Sequence, residues 1–207
     1  MADQLYLSLW YPNFRLIALP AALEKVMEQF AVISGSARVK AAAVYPISWN
    51  EAPVYQRIYD EEHEPDVQAS EPREAIAAAT ESLHDDFAYE FELLWELWAP
   101  ETGGGLEPVW KKEPRIVRIV GYGPEFDEGS YEQNGHVRID FGPDTPFLQE
   151  DVDLDEEAAV HVKQNVQMLV EFTNAVQHRA GISSRLLWSE SGESLAQKLI
   201  ARLQSVN

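Results

Sequence analysis

The segment FAYEFELLWELWAP, residues 87–100, places rings and leucines at every second position and interrupts them with Glu90, Glu92 and Glu96. Side chains along a strand point alternately to opposite faces. As a strand, the segment puts Tyr89, Phe91, Leu93, Trp95 and Leu97 on one side and Glu90, Glu92, Leu94, Glu96 and Trp98 on the other. A helical period would scatter the same rings around a cylinder. A strand of this length with one wholly apolar side needs neighbours along its edges and an apolar layer over that side. Its carboxylates need either water or basic partners from adjacent strands.

Upstream, LYLSLWY reads as a first strand with Leu5, Leu7 and Leu9 on one side. Pro20 opens a helix over PAALEKVMEQFAVI, where Leu23, Val26, Met27 and Phe30 recur at helical spacing, and Gly35 ends it. ARVKAAAVYPI and VYQRIYD are the second and third strands. REAIAAATESLHDD is predicted as a helix capped by Ser70 and leading into the 87–100 strand. The order strand-helix-strand, strand-helix-strand predicts a ferredoxin-like β-α-β-β-α-β arrangement for the N-terminal portion.

Beyond the glycine-rich ETGGGLEP, PRIVRIVGYG and GHVRIDFG supply two further strands. A long helix is predicted from about Leu154 to Ala180, with Val162, Val166, Leu169, Thr173 and Val176 as its apolar stripe. A short helix at SGESLAQKLIARLQSV turns Leu195, Leu199 and Leu203 inward. The expectation is one α+β domain over residues 1–207, with any internal boundary falling near 101–108.

The chain carries 35 Asp+Glu against 16 Lys+Arg, a formal net charge of −19. Such a field keeps a protein soluble, repels nucleic-acid backbones and anionic membranes, and suits a basic partner. Lys111, Lys112, Arg115 and Arg118, beside Trp110, form the densest basic interval. Acids flank it and no recognition motif accompanies it, so internal ion pairing is expected there in place of nucleic-acid binding. No cysteine is present, which excludes thiolate nucleophiles, disulfides and cysteine-based metal sites. The start MADQLYLSLW has no basic lead into an apolar run, and no stretch is long and apolar enough to span a bilayer. A soluble cytoplasmic protein without membrane contact is expected.

Chemical motifs are sparse. The five histidines include no HExxH pair. Glu157 and His161 share a helix face, an arrangement ordinarily met as a local charge contact. Asp151, Asp153 and Asp155 alternate like the start of a calcium loop, but Glu156 and Val162 stand where that loop needs glycine and glutamate. GYGPEFDEG holds a GxG with Pro124 next to it, and no phosphate-loop lysine follows. No metal and no cofactor are expected.

Two polar groupings remain. His84, Asp85 and Asp86 fall at a helix-to-strand junction, where an imidazole beside a carboxylate can act as a base. If the strands at 87–100, 114–123 and 135–142 pair as a meander, Arg118, His136, Arg138 and Asp140 join the glutamate side. The candidates for acid–base chemistry are therefore His84, Asp86, His136, Asp140 and Glu92, and those for ligand binding are Glu90, Glu96, Arg118 and Arg138. Ordinary cross-strand ion pairs would use the same residues. With no catalytic motif closed, a non-catalytic binding or protein-interaction domain is expected, its partner another protein or a second copy, with Trp49, Trp98, Trp110 and Trp188 as anchors. The competing expectation is an enzyme acting on a small polar ligand by histidine/carboxylate chemistry in a cleft over the sheet.

Overall fold

The computed structural model describes residues 2–59, 70–101, 109–149, 156–192 and 194–204. Among them, seven strands form one sheet: β1 (Gln4–Trp10), β2 (Val39–Pro46), β3 (Tyr55–Ile58), β4 (Phe87–Glu101), β5 (Val109–Tyr122), β6 (Val137–Pro143) and β7 (Ser184–Ser189). Their order is β3-β2-β4-β5-β6-β1-β7, and every neighbouring pair is antiparallel. The helices are α1 (Leu19–Ser34), α2 (Pro72–Ala79), α3 (Ser130–Gln133), α4 (Thr145–Leu148), α5 (Glu156–Arg179) and α6 (Leu195–Gln204). The mixed α+β class agrees with the sequence.

The ferredoxin-like arrangement does not hold. A split βαβ unit needs a parallel pair formed by a crossover, whereas β1 lies between β6 and β7, with three strands between it and β2. The reason is the β4–β5 hairpin, whose ladder runs from Ala88↔Tyr122 to Glu101↔Val109 and occupies the edge of β4. β6 then adds to β5, and β1 finds its partner there. β5 begins at Val109, earlier than its sequence pattern suggests, because β4 offers a partner that far. β7 was not anticipated: SRLLWS is a short segment whose strand form rests on the edge presented by β1. Residues 102–108, where an internal boundary was expected, lie outside the described residues.

One side of the sheet is the apolar side read from β4. Leu7, Ile139, Ile119, Phe91 and Ala42 stand in register across five strands. Helices α1, α2, α4 and α5 close over them with Leu23, Val26, Phe30, Ile76, Phe147, Leu169 and Phe172. Trp95, 1% exposed, is the hub. Its ring lies 5.6 Å from Phe30, 5.8 Å from Phe141, 6.2 Å from Phe172 and 6.3 Å from Phe147, joining β6, α1, α4 and α5. Buried Asn165 fixes α5 to the strand: its Oδ1 accepts the Trp98 N–H at 3.0 Å and its Nδ2 donates to the carbonyls of Trp98 and Pro146. Both faces of its amide are thus satisfied, as burial requires.

Two local expectations are corrected. α2 stops at Ala79 instead of reaching residue 86. The Thr80 hydroxyl donates back to the Ile76 carbonyl, and the Tyr89 hydroxyl accepts the His84 N–H and donates to the Ser82 carbonyl, drawing 82–84 out of the helix. Ser70 does not cap α2: its carbonyl accepts from Val39 in an isolated bridge, and Glu71 occupies the N-cap position ahead of Pro72. At the chain's other end, Lys198 of α6 lies 3.1 Å from Asp3 and 2.9 Å from Asp144. The Ser191 hydroxyl also donates to Asp3, and these bonds hold the Asp3 carboxyl well below the usual range.

Because four rings converge on Trp95, Trp95→Ala should lower stability by about 3–5 kcal/mol in urea unfolding. Trp95→Phe should cost far less, since the indole Nε1 has no hydrogen-bond partner among the described residues and a ring is kept; equal losses would contradict the hub.

Candidate functional site

The second face of the sheet carries the polar side of β4. In one row across the strands stand Ile58, Ala41, Glu92, Arg118, Asp140, Tyr6 and Trp188; in the next stand Gln56, Ala43, Glu90, Val120, Arg138, Ser8 and Leu186. Trp49, Phe126 and Tyr131 cover one end, packed on Tyr122 and Val120. Toward its two edges the face is open, with Ile58 of β3 64% and Leu186 of β7 53% exposed, while Val120 and Ser8 between them are buried.

Charge on this face is arranged by register. Arg118 Nε donates to Glu92 Oε1 at 2.9 Å, directly across the β4–β5 pair. Arg138 lies between two rings, its guanidinium carbon 5.0 Å from the centroid of Tyr6 and 5.5 Å from that of Tyr122. Cation–π attraction of this kind strengthens as the cation is desolvated, and Arg138 Nε is buried with no hydrogen-bond partner among the described residues. Asp140 accepts the Gly142 N–H at 2.8 Å. Tyr6 also stacks on Trp188 at 4.6 Å, and the Trp188 indole donates to Ser8 Oγ at 2.9 Å.

Beside this cluster is a hollow of about 560 Å³ lined by residues of β2, β3 and β4, among them Ala41, Ala43, Tyr45, Ile58, Glu90 and Glu92. The run of alanines in KAAAVY creates it: at 41 and 43 a methyl group stands where other strand residues would fill the space. Burial pushes the Glu90 carboxyl up; Arg118 pulls the other way, while Glu92 and Asp140 add to the rise. The same two glutamates, after burial, raise the Tyr45 hydroxyl.

The structure thus gathers Glu90, Glu92, Arg118, Arg138 and Asp140 on one face. Glu96 stands beyond Leu94 toward the hairpin end of β4, opposite Pro114, and is exposed. His136 is held apart from the carboxylates. Its ring stacks 4.5 Å from Phe14 and 4.4 Å from Tyr131, and its Nδ1 accepts the Tyr11 N–H at 3.0 Å. Burial alone lowers it from 6.5 to about 4.

His84 rests on Phe87 at 4.4 Å. The turn it shares with Asp85 and Asp86 works through its carbonyls: Asp85 accepts from Glu125 at 2.8 Å and Asp86 from Ile47 at 2.7 Å. Gly123 is needed there, because a Cβ would come within 2.7 Å of the His84 carbonyl oxygen. Neither His84 nor His136 is among the residues that line the hollow.

The tryptophan anchors divide among three places. Trp49 packs on Tyr45 and Phe126, Trp98 and Trp110 flank His161 of α5, and Trp188 joins Tyr6. The basic interval is engaged internally: Lys111 with Glu101 and Glu113, Arg115 with Glu113, Arg118 with Glu92, and Lys112 over the Trp98 ring. Asp151, Asp153 and Asp155 lie outside the described residues. Among the described residues no group of three His, Asp or Glu side chains is placed to hold a metal ion, and no helix is long and apolar enough to cross a membrane. Sequence reasoning missed Tyr6, Trp188 and the alanines as parts of the face. Tyr6 and the alanines had a signal in their two-residue alternation; Trp188 had none, since β7 is set by its pairing with β1.

Comparison with family models, with curated proteins and with solved structures finds no match to this chain.

Two pH effects follow. The native chain refuses a proton that His136 accepts when unfolded, so its contribution is present above pH 6.5 and is lost as pH falls toward 4. His136→Gln should flatten that slope in urea midpoints measured across the window; an unchanged slope would refute it. Glu90 acts in the opposite sense, since its raised carboxyl penalises the ionised fold. Glu90→Gln should therefore raise the midpoint at pH 7, with the gain vanishing below the ordinary value of 4.5, whereas Glu92→Gln should cost less than about 1 kcal/mol.

Proposed function

We propose that this chain is a non-catalytic binding protein that docks a protein partner on the open face of its sheet. The observation that carries the proposal is the composition of that face: Tyr6, Arg138 and Trp188 lie together beside exposed Leu186, opposite the side sealed by helices. Tyr, Trp and Arg dominate the energetics of protein interfaces because each combines a large apolar area with a polar tip. Arg138 is already held between two rings, so little side-chain freedom is left to lose on docking. Acid–base catalysis in a cleft over the sheet would instead call for an imidazole within reach of a carboxylate beside space for a substrate. The hollow has the space and the carboxylates, while His136 and His84 are engaged elsewhere.

Tagged full-length chain recovered from its native host should retain a partner in fixed stoichiometry. Trp188→Ala should lose that partner with its circular dichroism unchanged, and Val170→Ser on α5 should keep it. A Trp188→Ala variant that retains the partner would sink the proposal.

A further inference from the structure

The hollow over β2, β3 and β4 contains one carboxylate with no direct ion pair among the described residues. Glu92 is taken by Arg118 at 2.9 Å, but Glu90 makes no ion pair or hydrogen bond among the described residues; burial raises its carboxyl, and the more distant Arg118 and Arg138 offset that only in part. Lys40 also lines the hollow and makes no ion pair with Glu90. A half-buried carboxylate with no ion pair among the described residues is an unfavourable arrangement for the isolated protein. It becomes favourable when a cation enters, since a charge-assisted hydrogen bond in a partly desolvated site is stronger than one in water.

The rest of the hollow suits a planar cation on an apolar stem. Tyr45 lines the hollow with Glu90 and Glu92 and supplies a ring there, two residues along β2 from Ala43. Ile58 and Leu94 offer apolar contact, and Ala41 and Ala43 leave the depth. A volume of about 560 Å³ admits a side chain with its flanking backbone. Guanidinium stacks on aromatic rings and sheds water more readily than ammonium does. The net charge of −19 draws basic partners over acidic ones.

We propose that this hollow, formed by Ala41, Ala43, Tyr45, Ile58 and Glu90, is a receptor for an arginine side chain of a basic partner protein, with Glu90 as its counter-ion. The inference rests on the open-face docking proposed above and adds the partner's chemistry: a basic protein surface with a protruding arginine that stacks on Tyr45 while its N–H groups donate to Glu90.

N-acetyl-arginine-methylamide titrated into the full chain should shift the backbone amides of Ala41, Ala43 and Glu90 saturably. The uncharged citrulline counterpart should not. Glu90→Gln should weaken the arginine probe about tenfold or more, and Ala43→Leu should block it by filling the hollow; both side chains lie on the side of the sheet opposite Trp95, and because Ala43 is buried, an unchanged urea midpoint is required of that variant. Equal binding of the arginine and citrulline probes, no saturable shift, or an unweakened Glu90→Gln variant would overturn the site.

The native-host recovery separates the two proposals. A partner lost by Trp188→Ala yet kept by Glu90→Gln leaves the docking face standing and removes the arginine receptor. A partner kept by Trp188→Ala while the arginine probe still requires Glu90 does the reverse.

Discussion

The β4–β5 ladder is the constraint on which the rest of the chain depends. Its pairs run from Ala88↔Tyr122 to Glu101↔Val109 in one unbroken register. Because a shift of one residue would turn every side chain to the other face, this register places Phe91 beside Ile119 in the core and Glu92 beside Arg118 on the opposite side. It also occupies the edge of β4 that a split βαβ arrangement would have left for β1. The fully alternating strand directions follow, with β1 captured by β6 and β7 added at the rim.

The two faces meet opposite physical demands. On the helix-covered face, Trp95 gathers rings from three helices and from β6. On the polar face the described residues bring rings over one end, where Trp49, Phe126 and Tyr131 pack on Val120 and Tyr122, and elsewhere the side chains stabilise one another laterally. Arg138 lies between Tyr6 and Tyr122, Tyr6 against Trp188, and Glu92 against Arg118. Lateral pairing lets large rings stand at a water-facing surface while keeping them ordered. It also leaves Glu90, next to the alanine hollow, without a direct ion pair among the described residues, its carboxyl raised by burial.

The candidate histidines show why proximity in sequence says little about a site. His84, Asp85 and Asp86 are consecutive, yet their backbone carbonyls serve to bind the loops at 47 and 125 to the end of β4. His136 belongs by parity to the glutamate side but sits at the end of its strand, where Phe14 and Tyr131 arrive from other segments and enclose its ring. Those neighbours, more than a hundred residues apart in the chain for Phe14, could not be read from the alternation.

By itself the sequence determined the two-faced character of β4, the apolar sides of β1, β5 and β6, the α1 span from Pro20 to Gly35, and the placement of Glu90, Glu92, Arg118, Arg138 and Asp140 on one face. Those features follow from strict periods of two and 3.6, which local residues express without help. Tertiary structure decided the strand order, the existence of β7, the early end of α2 and the seclusion of His136. Each of these depends on which edge or cavity a distant segment finds open, and that competition is settled by pairing and burial between parts of the chain that carry no mark of one another.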